Sequence, residues 1–235
     1  MKQLSRRSFV SHAAAGVALM ATPVAPAVAE RVYHTNDWKM AAFQQLLDQP
    51  AQAKQLFDMP SIEEGSGFEH MVNSMEGLQF GFGIPVDQIK VVAAIRAKAT
   101  VLNFNDYIWE KYNIGEMAKV NDPDTGKPAI RNVFYPSKAG NPPHYSSQDP
   151  NDEGSSFRDS SIQGLQARGV QLLACHMAIN SLAGGMSKRA KGDQSREETV
   201  KEIQAHLLPG VIVVPSMVSA IAMLQTRGQF SYLRM

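Results

Sequence analysis

The chain has 235 residues, of which 23 are basic and 22 are acidic, so its formal net charge is +1. This even balance argues against nucleic acid or an anionic membrane surface as a partner. The only cysteine, Cys175, excludes an internal disulfide, and no segment beyond the N-terminal region is long and apolar enough to cross a bilayer.

Residues 1–29 predict an export signal. Residues 5–9 (SRRSF) resemble the twin-arginine motif, and the uncharged run that follows ends at residues 27–29 (AVA), a small-x-small site for signal peptidase. The run is short and contains Pro23 and Pro26, so a membrane anchor is the less favoured interpretation. We expect a periplasmic protein that is exported by the twin-arginine pathway, is cleaved after Ala29 and has no membrane segment in its mature form.

Removal of this signal leaves about 206 residues, enough for one domain with a hydrophobic core. The signal contains three of the 23 basic residues, Lys2, Arg6 and Arg7, and no acidic residue. The mature chain therefore has two more acidic than basic side chains. We predict a single domain over residues 30–235.

The first half of this domain alternates between helical and extended patterns. Residues 38–57 form a polar helical stretch that is interrupted at Pro50, and residues 68–82 show the apolar spacing of an amphipathic helix. Residues 88–95 (QIKVVAAI) predict a strand, and residues 101–104 begin the next element. Turn residues then dominate over residues 120–161, which predicts an inserted loop without a core of its own.

The last third of the chain continues the alternation. A short helix ends at Gly169, residues 170–174 (VQLLA) form a buried strand, and a helical stretch after Cys175 runs into the glycines at positions 184 and 185. Ser195 and Glu198 form a capping box that opens another helix. Residues 211–214 and 230–233 are strand-like, and the helix between them closes at Gly228. This order predicts an α/β fold with a doubly wound, mainly parallel sheet.

Residues 169–235 resemble the DsrE/DsrF-like family of sulfur-handling α/β proteins. The resemblance is carried by residues 169–175 (GVQLLAC), 207–211 (LLPGV) and 213–216 (VVPS), followed by Leu224, Gln225, Gly228 and Tyr232. It implies a sheet of about five strands with helices on both faces and a homo-oligomer such as a trimer or hexamer. It also implies that Cys175 carries a persulfide; His176 and Met177 follow it where many members have Asn and Thr.

Cys175 is the main candidate site residue, and His176 is its candidate modulator. Cys175 ends a predicted parallel strand where a helix begins, an edge at which open α/β sheets place ligands and reactive groups. The partial positive charge of a helix N-terminus favours a thiolate, and a protonated His176 would add to this effect. The alternative is that Cys175 is an apolar core residue, since free cysteine is often buried.

Two functions of different classes follow. The first is an exported sulfur-relay or thiol-redox accessory protein, rather than a classical enzyme, in which Cys175 takes sulfur from a donor and passes it to an acceptor protein. The second is a non-catalytic oligomeric scaffold or small-ligand binder with an inert Cys175. A haem or metal carrier is a weaker third alternative. No cofactor is predicted, because Cys175 and His176 supply two of the four ligands of a structural zinc site.

Three other patterns are interpreted as structural. Residues 80–83 (FGFG) end a helix rather than follow a strand, so they are not a nucleotide fingerprint. Asp122 and Asp124 suggest a calcium loop, but Val133 occupies the position that requires glutamate. Trp109 and Tyr112 are expected in the core rather than in a pocket.

Overall fold

A computed structural model describes residues 40–136, 144–147, 149–189 and 194–235. The predicted signal at residues 1–29 lies outside these ranges. Within them the chain forms a five-stranded sheet in the order β4-β3-β2-β1-β5, and every pairing is parallel. The predicted doubly wound α/β fold is therefore confirmed.

The strands and helices alternate along the chain. The strands are β1 (Ala53–Met59), β2 (Ile89–Ile95), β3 (Gln171–Cys175), β4 (Ile212–Val214) and β5 (Ser231–Arg234). The α-helices are α1 (Ala41–Asp48), α2 (Ser66–Glu76), α3 (Asp106–Lys111), α4 (Ile114–Ala118), α5 (Ile162–Ala167), α6 (His176–Arg189), α7 (Arg196–Ala205) and α8 (Met217–Thr226). A π-helical turn at Gly77–Gly81 extends α2, and a 3-10 segment at Ala97–Asn103 follows β2. In the described part of the chain, no helix combines the length and apolarity that a bilayer crossing requires.

The sheet is covered on both faces, and the apolar side chains of its strands alternate between them. Phe57 and Val91 belong to the core on the face of α2 and α5, whereas Leu56 and Val92 belong to the core on the face of α1 and α8. The continuous apolar run of β2 fits a central parallel strand, because such a strand is buried on both sides. Each fully buried large apolar side chain contributes roughly 1.5–3 kcal/mol, so these two layers hold the sheet.

A third apolar cluster is built from the 3-10 segment, α3, α4, α6 and α7. Its largest side chain is Trp109, which is fully buried and donates its indole N–H to the Val101 carbonyl oxygen at 3.1 Å. Tyr112 is buried in the same cluster, and Ala174 of β3 joins the cluster to the sheet. The core interpretation of Trp109 and Tyr112 is confirmed.

The predicted helix over residues 38–57 is correct only in part. Residues 38 and 39 lie outside the described ranges, α1 covers Ala41–Asp48, and Ala53–Met59 is the strand β1 rather than helix. The alanine, glutamine and lysine residues of this strand favour a helix in isolation. Pairing with β2 on one side and β5 on the other overrides that preference.

The helix after Cys175 is longer than predicted. α6 continues through Gly184 and Gly185 to Arg189, because it packs against α7. The Arg196 Nε–H of α7 donates to the Asn180 carbonyl oxygen at 2.9 Å, which ties the two helices together next to the glycines. Packing here outweighs the low helix propensity of glycine. The predicted capping box of Ser195 and Glu198 is confirmed at the start of α7.

The predicted loop insertion is anchored to the core at Asn132. The buried Asn132 side-chain amide donates to the carbonyl oxygens of Leu102 and Phe104, both at 2.9 Å. The Asn132 backbone N–H donates to the Asp106 carboxylate, also at 2.9 Å. The first part of residues 120–161 is therefore irregular in conformation but docked against the end of the 3-10 segment.

Candidate functional site

Cys175 lies at the carboxyl edge of the sheet. It is the last residue of β3, it pairs with Val214 of β4, and α6 begins at the next residue. The backbone N–H of Met217, the first residue of α8, points to the thiol, with an N···Sγ distance of 3.4 Å. The helix N-terminus that contacts the Cys175 thiol is therefore that of α8, and not that of α6, the helix that begins directly after Cys175 and was expected to supply it.

Cys175 is buried, but slightly less completely than the two residues before it. Leu173 and Ala174 are 0% exposed, whereas Cys175 is 7% exposed and His176 is partly exposed. The apolar cluster that contains the thiol also includes Val214 and Met217, with Met177 and Ala178 packed against it. Cys175 is thus a buried residue in largely apolar surroundings.

His176 faces a different helix from the thiol. Its Nδ1 atom lies 3.2 Å from the side-chain nitrogen of Gln204 on α7, whereas Cys175 contacts α8. Burial lowers the pKa of His176 below its ordinary value. The neutral imidazole therefore predominates at neutral pH. Both observations argue against a protonated His176 beside the thiolate, and its role as a modulator stays a prediction.

Arg96 directly follows β2, the strand next to the one that Cys175 ends. Ile95, the last residue of β2, pairs with Ala174 of β3; Cys175 is the last residue of β3, and Arg96 is the first residue after β2. Neighbouring strands lie about 4.8 Å apart, so the two backbones are in adjacent positions. Both side chains leave the sheet on the face of α1 and α8, because the residues two positions earlier on each strand pack there.

Asp58 of β1 fixes the Arg96 guanidinium. Arg96 Nε donates to Asp58 Oδ1 at 2.6 Å, and a terminal nitrogen of Arg96 donates to Oδ2 at 2.8 Å. The Tyr232 hydroxyl of β5 donates to the same Oδ2 at 2.6 Å. Asp58 is 1% exposed, whereas the Arg96 side chain is 27% exposed and Tyr232 is 40% exposed. A buried carboxylate therefore holds two groups whose outer parts reach solvent.

The charges of these groups follow from their contacts. Burial opposes ionisation of Asp58, but the hydrogen bonds from Arg96 and Tyr232 outweigh it and lower the pKa of Asp58. The hydrogen bond to Asp58 raises the pKa of Arg96 and also that of Tyr232. At neutral pH the group therefore contains a carboxylate, a guanidinium and a neutral phenol. Arg234, the exposed register partner of Asp58 on β5, adds a second positive charge.

We refer to Asp58, Arg96, Tyr232 and Arg234 as the edge cluster. Sequence reasoning missed all four as site residues. Asp58 and Arg96 each come at or directly after the buried end of a strand, a signal that was hidden for Asp58 because β1 was predicted to be helical. The carboxyl ends of neighbouring parallel strands meet at one edge, so a correct assignment of β1 and β2 would have brought these two residues together.

Asp122 lies in a turn, and residues 80–83 lie at the end of a helix. Asp122 accepts a hydrogen bond from Arg131 Nε at 2.7 Å and from the backbone N–H of Asp124 at 2.9 Å, which stabilises a turn. Residues 80–83 follow α2, not a strand. Over the residues whose structure is described, no three His, Cys, Asp or Glu side chains are grouped so that they could hold a metal ion.

No protein-family model matches the chain, and no curated protein or solved structure is detectably similar to it. The fold and the edge residues define a doubly wound α/β protein with a cysteine beside a basic cluster at the carboxyl ends of its strands.

Proposed function

We propose that the chain is a carrier of sulfane sulfur, or a related thiol-redox accessory protein, with Cys175 as its reactive thiol. The observation that carries this proposal is the contact between Cys175 Sγ and the Met217 N–H at the carboxyl edge. N–H groups at a helix N-terminus stabilise negative charge, and the thiolate is the nucleophilic form of cysteine. The resemblance of residues 169–235 to the DsrE/DsrF-like family supports the same role.

The carrier reaction is a sulfur transfer without net oxidation. The Cys175 thiolate attacks the terminal sulfur of a polysulfide dianion, so a bond forms between Sγ and that sulfur while the adjacent S–S bond of the donor breaks. The electron pair of the broken bond leaves with the shortened polysulfide. The product is a Cys175 persulfide anion, and an acceptor thiolate then removes its outer sulfur.

A second function is favoured by a different observation. Cys175 is 7% exposed and belongs to an apolar cluster that includes Val214 and Met217. A cysteine in such surroundings serves as a small apolar residue in many proteins. The second candidate is therefore a non-catalytic scaffold or small-ligand binder in which Cys175 is inert.

Intact mass after exposure to polysulfide separates the two functions. Cys175 is the only cysteine, so a gain of sulfur by the wild-type protein and not by Cys175→Ser assigns the carrier role. Alkylation by iodoacetamide under native conditions is the parallel measurement. A native protein that gains no sulfur, and that is alkylated only after denaturation, contradicts the carrier role and supports the scaffold.

We also propose twin-arginine export with cleavage after Ala29, and assembly into a homo-oligomer. Replacement of Arg6 and Arg7 by lysine is expected to retain an uncleaved precursor in the cytoplasm, since the pathway reads the arginine pair. Cell fractionation tests this, and unchanged export of the variant contradicts it. Light scattering on the mature protein tests the assembly, and the mass of a single chain contradicts it.

A further inference from the structure

The edge cluster lies where the winding of the sheet reverses. The chain places β2, β3 and β4 successively on one side of β1 and then returns to place β5 on the other side. In open α/β sheets, ligands bind outside the carboxyl ends of the strands at such a reversal. Asp58 is the residue before the last of β1, and Tyr232 and Arg234 belong to β5, so the cluster occupies this position.

The charge of the cluster is positive. One carboxylate, Asp58, faces two guanidinium groups, Arg96 and Arg234. Within the described parts of the chain, Arg234 forms no ion pair and donates no side-chain hydrogen bond, so its charge is not cancelled by a partner of its own. The excess charge favours an anionic ligand at this edge.

The donors of the cluster are oriented before a ligand arrives. Arg96 uses one N–H of Nε and one of a terminal nitrogen to bind Asp58, which leaves three of the five guanidinium N–H groups for another acceptor. Asp58 itself is 1% exposed, so the carboxylate that orients the Arg96 guanidinium is buried in the protein. Planar, fixed guanidinium groups are suited to carboxylate, sulfonate and related oxyanions.

We propose that the edge cluster binds the anionic group of the molecule that reacts with Cys175, with Arg96 as the main contact. This inference rests on the proposed thiol chemistry and adds the class of its donor. Arg96 directly follows β2 and Cys175 ends the neighbouring β3, but the Arg96 guanidinium binds Asp58 of β1. The favoured donor therefore has its negative charge and its transferable sulfur several ångströms apart, as in a small persulfide that bears a carboxylate or sulfonate.

Charged methanethiosulfonates test the arrangement directly. Sulfonatoethyl methanethiosulfonate is anionic and its trimethylammonioethyl analogue is cationic; each transfers its thioalkyl group to a thiolate and releases methanesulfinate. Their rates of reaction with Cys175 are measured by intact mass. The wild-type protein is expected to prefer the anionic reagent, and Arg96→Gln is expected to lower the anion-to-cation rate ratio about tenfold, since one unit of charge near the reacting sulfur is lost. Arg96→Lys keeps the charge and is expected to restore part of the ratio.

Arg131→Gln is the matched control. Arg131 is also paired with an aspartate through Nε, its side chain is 31% exposed against 27% for Arg96, and it lies in the loop insertion rather than at the strand ends. Both variants therefore lose an arginine–aspartate ion pair, so an effect of that loss alone would be seen in both. The rate ratio of Arg131→Gln is expected to equal that of the wild type, and an unchanged ratio in folded Arg96→Gln overturns the proposal.

Binding of thiosulfate to Cys175→Ser, measured by isothermal titration calorimetry, tests the anion site without any thiol. Saturable binding that Arg96→Gln removes and Arg131→Gln retains supports the site. Absence of binding, together with no preference between the two reagents, overturns it. If the anion site responds as expected but polysulfide adds no sulfur to the wild-type protein, the carrier function fails while the anion site remains.

Discussion

The backbone N–H of Met217 donates to Sγ of Cys175 at 3.4 Å, and this contact joins the end of β3 to the first turn of α8. The Ser216 side chain, at the N-cap position of α8, makes no capping hydrogen bond. The first N–H groups of a helix lack partners within the helix. The cysteine sulfur therefore serves as an acceptor for one of them, from a different element of the fold.

Met217→Pro tests this contact. Proline is well tolerated at the first position of a helix, and the extended backbone of Ser216 suits the residue before a proline. The substitution removes the N–H while α8 is retained. We expect alkylation of Cys175 by iodoacetamide at neutral pH to slow about threefold or more, because the thiolate loses a hydrogen-bond donor.

Met217→Ala is the control for that experiment, because it removes the same buried side chain but keeps the N–H. The expected order of alkylation rates is Met217→Ala above Met217→Pro. Equal rates in the two variants, with circular dichroism showing intact helices, would mean that the N–H has no influence on the thiol.

Glu202 on α7 is expected to contribute a pH-dependent part of the stability. Its carboxylate accepts hydrogen bonds from Lys111, Tyr112, Tyr107 and Gln194. Burial opposes its ionisation, but these bonds outweigh burial and lower the pKa of Glu202 from 4.5 to about 2. A lowered carboxyl pKa means that the contribution is complete above the unfolded-state pKa and is lost as the pH falls toward the folded-state pKa.

Glu202→Gln is accordingly expected to cost about 1–2 kcal/mol at pH 7, after allowance for partial solvent screening. The difference from the wild type should shrink between pH 4.5 and pH 2, the interval between the two pKa values. Urea unfolding at a series of pH values measures it. Glu197→Gln, which removes an exposed carboxylate of the same helix, should change the unfolding free energy by less than about 0.5 kcal/mol. A pH-independent difference for Glu202→Gln would contradict the argument.

Gly115 at the start of α4 has no room for a side chain. An added Cβ would clash with the backbone nitrogen and oxygen of Ala129. Gly115→Ala should therefore destabilise the protein by about 2 kcal/mol or more, because backbone atoms must move. Gly77 has a helical φ of −57° and nothing within 4 Å of the added Cβ, so Gly77→Ala should be neutral or stabilising by up to about 1 kcal/mol. Thermal unfolding of both variants checks the contrast, and equal effects would be inconsistent with the close approach of α4 to residue 129.

Asn132 is expected to be the anchor of the loop insertion. Asn132→Ala leaves the carbonyl oxygens of Leu102 and Phe104 without their donor inside the core, which should cost about 2–3 kcal/mol. Asn73→Ala on the exposed side of α2 is the matched control and should change the unfolding free energy little. Limited proteolysis of the Asn132 variant should also cut the insertion faster. Unfolding free energies that fall equally in the two variants would contradict the anchoring role.

The sequence was sufficient to predict four of the five strands: β2, β3, β4 and β5. β2 and β3 are short runs of buried residues, and the capping box at Ser195 marks the start of α7 by local chemistry alone. β1 was missed because its first three residues are only partly buried and favour a helix, and because its strand character depends on two partners distant in the chain. Local patterns do not contain that information.

The same limit explains which residues of the candidate site could be predicted from the sequence. Cys175 was recognised because it directly follows a strand that the sequence predicts clearly. The edge cluster could not be recognised in this way, because its residues come together only through the register of the strands. Asp58 and Arg96 are 38 positions apart, and Tyr232 is 174 positions from Asp58. Only the order of strands in the sheet shows that these side chains meet. The position of the Met217 N–H was hidden for the same reason, since it is 42 positions from the thiol.

Both outer strands of the sheet are short, with three residues in β4 and four in β5. A strand added from another molecule would find few free N–H and C=O groups at either side, so extension of the sheet into a continuous ribbon is disfavoured. Edge-to-edge pairing of sheets from different copies, the arrangement that leads to fibrils, is therefore disfavoured in this fold.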